Sequence, residues 1–277
     1  MLKVFKLRPV LKITLSALFI ALTIVVSKFL PISNVFNLPF LRISLGPTLL
    51  IFASILLGPF YGALTGLLSD LVGFIFDTTG FAYNPLFSLT YLLYGLVPGL
   101  LVYLLQKNKS SKPIIQIVSF VIINIFVICF FSLNDVIAPY GGKEYVLDLT
   151  TKLIVIFSSI GITILYFVLY IILYKKFKNK DQRVLLNNIS IINFVTLIFV
   201  QLFIGVIVKK ITYEVDIVVL LGAQIIVTTI EILISNYLVC VLYFVSTKMF
   251  KRIPERKKKE KIKKVNKKRV ILIRRIK

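Results

Sequence analysis

The stretch FLRISLGPTLLIFASILLGPFYGALTGLLSDLVGFIFDTTGFAYNPLFSLT, Phe40 to Thr90, decides the fold. Two apolar runs meet at Leu57-Gly-Pro-Phe-Tyr-Gly62, a turn far too short to link separate domains, so the runs are adjacent helices. Within the second run stands Asp70, an acid inside sequence apolar enough for a bilayer. A polar, aromatic-bearing loop, Asp77 to Pro85, then precedes the next apolar run.

The rest of the chain has the same character. Its 277 residues are 58% hydrophobic, with a mean hydropathy of +0.95. A soluble protein cannot hide that much apolar surface, whereas a bilayer accepts it, and about 20 apolar residues in a helix cross the ~30 Å hydrocarbon core. Spans are expected over 10–30, 46–57, 60–76, 86–105, 114–133, 153–174, 189–208 and 217–248. The chain therefore reads as an all-α polytopic membrane protein with about eight transmembrane helices. The second span is short for a full crossing and is expected to be tilted or covered by its neighbours. The first lacks a small-residue cleavage site and reads as a retained helix instead of a signal peptide.

Charge sets the orientation. With the N-terminus in the cytoplasm, 28 of the 34 Lys and Arg residues fall inside, and only Lys28, Arg42, Lys143, Lys152, Lys209 and Lys210 fall outside. That asymmetry obeys the positive-inside rule and puts both termini of a multi-pass cell-membrane protein in the cytoplasm. Residues 1–250 form the transmembrane domain. The tail, 251–277, is a basic cytoplasmic segment suited to anionic lipid. No aromatic interleaves its charges as a single-strand stacking platform would require, so no nucleic acid partner is expected.

Few residues carry chemistry. Histidine is absent, and no phosphate-cradling loop or nucleophile motif is present. No catalytic residue, metal or cofactor is expected, and binding or transport fits better than catalysis. Cys129 and Cys240 lie in apolar runs as small hydrophobes. Asp70 and Glu231 sit near the middle of spans, where a carboxylate is costly unless paired or facing a wet cavity. A functional site and a structural hydrogen bond to a neighbouring helix both explain them. Ala17 and Ala21 form a small-residue stripe one turn apart, suited to helix packing within the bundle or to a subunit contact. The connections 31–46 and 77–85 fall on the outer side and could close over a ligand.

The motifs FLRISLG (Phe40–Gly46), LLGPFYGALTGLLSDLVGF (Leu56–Phe74) and the run Thr78–Thr90 resemble the substrate-binding S component of energy-coupling factor (ECF) vitamin transporters, nearest the folate branch. The resemblance covers 10–105 and rests on Arg42, Gly58, Pro59, Gly62, Asp70, Gly73, Thr79, Gly80, Tyr83, Pro85, Phe87 and Thr90. Asn84 and Leu86 stand where Phe and Gly are usual, and Val97-Pro98 where Ile-Tyr is usual. The resemblance implies a six-helix core, which makes one C-terminal helix pair an addition. It implies capture of a folate-like molecule outside, in a site drawn from Arg42, Phe81, Tyr83, Asn84, Phe87 and Thr90. Aromatic faces would stack the ring, Asn84 would meet its polar edge, and Arg42 would hold the glutamate tail. Ala17 and Ala21 would dock on a transmembrane coupling protein served by two cytoplasmic ATPase subunits. The alternatives are an S component for another vitamin or small molecule, and a membrane scaffold whose basic tail contacts lipid or RNA.

Overall fold

The computed structural model describes residues 7–33, 42–76, 82–105, 114–133, 136–140, 143–146, 149–177, 180–215, 217, 220–222 and 224–247. The chain divides into two compact units, Met1–Val239 and Cys240–Lys277. In the second, residues 240–247 are helical, and Ser246 Oγ donates to the Tyr243 carbonyl at 2.8 Å.

Helices α1 (Pro9–Phe29), α2 (Gly46–Leu57), α3 (Pro59–Ile75) and α4 (Pro85–Leu105) pack together. The second is the shortest, 12 residues, and apolar all round. At 1.5 Å per residue it reaches only about 18 Å, so it cannot cross a bilayer alone. Instead it is enclosed, with Leu50, Ile51, Phe52, Ala53, Ile55, Leu56 and Leu57 all buried. It stops at Gly58, whose φ of +94° only glycine adopts without strain, and Pro59 starts α3 at once.

Among the described residues, α3 and α4 share the most extensive contact. A Cβ on Gly62 would strike the Gly95 carbonyl oxygen, and one on Gly66 would strike that of Tyr91. In lipid, where burying apolar surface against another helix gains little, such small residues let backbones approach and supply the packing.

The next layer is α7 (Lys180–Leu197), a π-helical stretch (Ile198–Ile204) and α8 (Gly205–Tyr213), which run on as one span, together with α9 over 224–247. The α4 helix packs on this span. On its far side lie α5 (Ile114–Leu133) and α6 (Leu149–Lys176): Val127 and Phe131 pack on Ile225 and Ile226, and Phe120 on Phe194. Among the described residues, five helices are long and apolar enough to cross a membrane, and three shorter apolar ones accompany them. That is the expected count of apolar helices; the largest shift is in the seventh, which begins at Lys180 instead of 189 and runs on to Tyr213 instead of 208. Its polar start does not break the helix because Leu185 through Asn188 are buried against other helices.

Two short hairpins complete the described structure. Strand β1 (Ile32–Ser33) pairs antiparallel with β2 (Arg42–Ile43), Ile32 facing Ile43, and pins the base of the α1–α2 connection. Strand β3 (Val136–Tyr140) pairs with β4 (Lys143–Val146) between α5 and α6. The sequence reading expected no strand there, although Gly141-Gly142 between the two is a hairpin dipeptide.

One feature of the middle layer sets it apart. Gln224, Thr228, Glu231 and Ser235 recur at helical spacing on α9, and all are buried. So are Asn187, Asn188, Ser190, Asn193 and Gln201 on the span beside it. A buried polar atom left without a partner costs ~1–3 kcal/mol, so a stripe of this kind needs a reason.

Candidate functional site

Two polar groupings stand out, and Arg42 lines the first and acts electrostatically on the second. The first is a cleft between α1, α3 and α4, lined by Ser27, Lys28, Arg42, Ser69, Asp70 and Tyr91 among others. Its empty volume is about 270 Å³, counting the part open to solvent. Asp70 Oδ2 accepts a hydrogen bond from Ser88 Oγ at 2.5 Å, and Ser88 is also bonded to the Tyr83 hydroxyl. Ser88 has one proton and gives it to the carboxylate, so Tyr83 is the donor to Ser88. The Tyr83 ring lies edge-on to Phe74, centroids 5.2 Å apart. The acid singled out in the sequence thus ties α3 to Ser88 of α4 and, through it, to Tyr83, and also lines the cleft.

The second grouping surrounds Glu231. Its Oε1 accepts the Ser44 backbone N–H at 2.9 Å, across 187 positions of sequence. Ser44 lies just before α2, and its own Oγ accepts the Gly46 N–H at 3.2 Å. A carboxylate from α9 therefore meets the electropositive N-terminus of α2, where free N–H groups and the helix dipole favour an anion. The Gln201 side chain also hydrogen-bonds Glu231, while Lys209 and Arg42 act on it as nearby cations. Tyr94 donates to Gln201 Oε1 at 3.4 Å, and Lys209 Nζ donates to Gln224 Oε1. Five elements so converge on one buried acid whose other oxygen, Oε2, has no hydrogen-bond partner among the described residues.

The expected site residues separate in position. Arg42 is exposed at the cleft, and Tyr83 is tied to its edge. Asn84 is engaged at both ends: its Oδ1 accepts the Leu86 N–H at 3.0 Å as the N-cap of α4, and its Nδ2 donates to Thr212 Oγ1 at 2.8 Å. Phe87 stands beside Tyr213, centroids 6.3 Å apart. Thr90 is buried and donates to the Phe87 carbonyl at 2.7 Å, a bond internal to the helix. Phe81 lies outside the described residues. Ala17 and Ala21 lie on an exposed face of α1. Sequence reasoning missed Ser44, Tyr94, Gln201, Lys209 and Gln224, which look like ordinary loop and span residues until the helices are packed.

The double engagement of Asn84 gives a first prediction. Asn84→Ala should lower stability by about 1 kcal/mol through loss of the cap, read as a fall in melting temperature. Ligand affinity should change little. A large affinity loss at unchanged stability would make Asn84 a ligand contact instead.

A family model for the ECF-type riboflavin transporter, S component, matches residues 8–179, more than half of the 277. No curated protein and no solved structure matches the chain. The family match supports an S component, though not the folate branch in particular. Among the described residues, no group of three His, Cys, Asp or Glu side chains could hold a metal ion.

Proposed function

The chain belongs to the ECF-type riboflavin transporter S component family, and we propose that it captures a fused-ring vitamin, riboflavin in the first instance, at the junction of the Arg42 cleft and the Glu231 grouping. S components are membrane transport subunits that work with a transmembrane coupling protein and ATPases, not enzymes. The observation that carries the proposal is the convergence on Glu231, a buried acid with one oxygen free, beside amide and ammonium donors from Gln201, Gln224 and Lys209. A ring edge with an N–H between two carbonyls offers one donor and two acceptors, which such a set can answer. The enclosed part of the cleft, about 20 Å³, is far below the ~300–1,000 Å³ usual for small-molecule sites, so capture requires the site to open.

Folate is the second reading, favoured by Arg42 and Lys28 together at the cleft, where a glutamate tail needs cations. The cleft faces outward and both termini inward, in keeping with the 28-to-6 division of cations. The exposed stripe of Ala17 and Ala21 meets the coupling protein, and residues 251–277 contact anionic lipid.

Titration of the purified full-length protein with riboflavin and folate, with biotin and thiamine as controls, tests the reading. Saturable riboflavin binding is expected. Binding of folate alone would select the second reading, and binding of neither would remove both. Arg42→Ala separates them further. It should leave riboflavin affinity within a few-fold but lower folate affinity by roughly tenfold or more, the worth of a charge-assisted hydrogen bond.

A further inference from the structure

Away from the vitamin site, the middle layer holds polar groups that capture of a ligand does not use. From Glu231 toward the end of the bundle where α7 begins, they are Ser235, Asn193, Asn236, Ser190, Asn188 and Asn187. Ser235 Oγ donates to Asn193 Oδ1 at 2.7 Å, Asn236 Nδ2 donates to the Tyr166 hydroxyl at 3.3 Å, and the Tyr170 hydroxyl donates to Asn187 Oδ1. The first two networks then stop short. Asn193 Nδ2, Asn236 Oδ1, Asn188 Oδ1 and Ser190 Oγ are fully buried and find no protein partner among the described residues, as is true of Glu231 Oε2 above them.

Interhelical polar bonding alone does not account for this, because it would use both ends of each amide. Exchanging the oxygen and nitrogen of Asn193 or Asn236 only moves the unsatisfied atom from one end to the other. Lipid tails cannot answer these groups either. The unsatisfied set on this stretch mixes a donor, Asn193 Nδ2, with acceptors, Asn188 Oδ1 and Asn236 Oδ1. A cation suits only the acceptors, and no acid accompanies them on this stretch. The occupant must donate and accept in turn, and water does both. We propose that the layer formed by α7 and α9, edged by α6, binds a column of ordered water molecules running from Asn193 and Asn236 to the level of Asn188. The column makes the α7–α9 seam the wet interior of the bundle, whichever vitamin the cleft takes.

X-ray radiolytic labelling reads bound water directly, because hydroxyl radicals form from it in place and oxidise the adjacent side chains. With the full-length protein in lipid nanodiscs, Tyr166 should be oxidised several-fold more than Phe131 after correction for intrinsic reactivity. Both are 2% exposed, and Phe131 sits in the apolar cluster between α5 and α9. Equal labelling would show a dry seam and overturn the proposal. The double substitution Asn193→Leu, Asn236→Leu should bring Tyr166 down to the Phe131 level while ligand affinity stays within two-fold or so. Undiminished labelling in the folded double variant would also overturn it. If that variant does not fold, the comparison within the unsubstituted protein decides alone.

Discussion

Glu231→Ala is expected to lower ligand affinity by two to three orders of magnitude and to lower the melting temperature as well. The carboxylate is buried, ties α9 to the start of α2 through Ser44, and stands between Gln201 and the cations Lys209 and Arg42. Removing one member of a buried charged set leaves the others uncompensated, at a cost of about 3–5 kcal/mol, and each ~1.4 kcal/mol is a factor of ten in binding. Glu231→Gln keeps an oxygen for the Ser44 N–H and should lose roughly tenfold, the worth of the charge alone. Titration and thermal unfolding of the three proteins side by side check this. An alanine variant that binds and melts like the parent would place the site elsewhere.

Glu231 also shows where the sequence stops being readable. Its burial was legible, since an acid in the middle of a long apolar run has to be enclosed or neutralised. Its partner was not, because Ser44 is 187 positions away and pairs through its backbone, which carries no sequence signal. Gln201 was hidden for another reason. It lies within the π-helical stretch Ile198–Ile204, and the wider turn shifts the register that a 3.6-residue period assumes. Lys209 looked like an outer-side cation at a span end, yet it is only partly exposed and bonds Gln224. Asn84 fell at a position that the folate resemblance assigns to ligand, while its location just before Pro85 is equally that of an N-cap. Local chemistry cannot choose between those two, and the bond to Thr212, which only the fold brings there, adds a structural partner that the sequence did not show. By contrast, the helices themselves, the enclosure of the short second span and the close crossing of α3 followed from composition and glycine spacing. These depend on what a bilayer tolerates and not on which helix neighbours which.

That close crossing should show the largest effect on folding. Gly62 and Gly66 of α3 and Gly95 and Gly99 of α4 face backbone on the opposite helix, and backbone has no rotamer with which to move aside. A Cβ on Gly66 would lie 2.8 Å from the Tyr91 carbonyl carbon, and one on Gly95 would lie 2.9 Å from the Ala63 nitrogen. Contacts of that kind can be relieved only by separating the helices along their length. Overpacking in a tight core costs about 1–3 kcal/mol per site, and two sites on one contact exceed that. Gly66→Ala and Gly95→Ala should therefore each lower the melting temperature by several degrees, and the pair should fail to yield folded protein. Gly161 on α6 provides the comparison: nothing lies within 4 Å of its Cβ position, so Gly161→Ala should hold or raise stability through helix propensity. Separation of α3 from α4 would also pull Asp70 from Ser88, which bridges the two helices at 2.5 Å, so ligand affinity should fall in step with stability in the single variants. Equal melting of Gly66→Ala and Gly161→Ala would mean that the two helices stand further apart than this contact requires, and the cleft between them would lose the rigid wall on which capture depends.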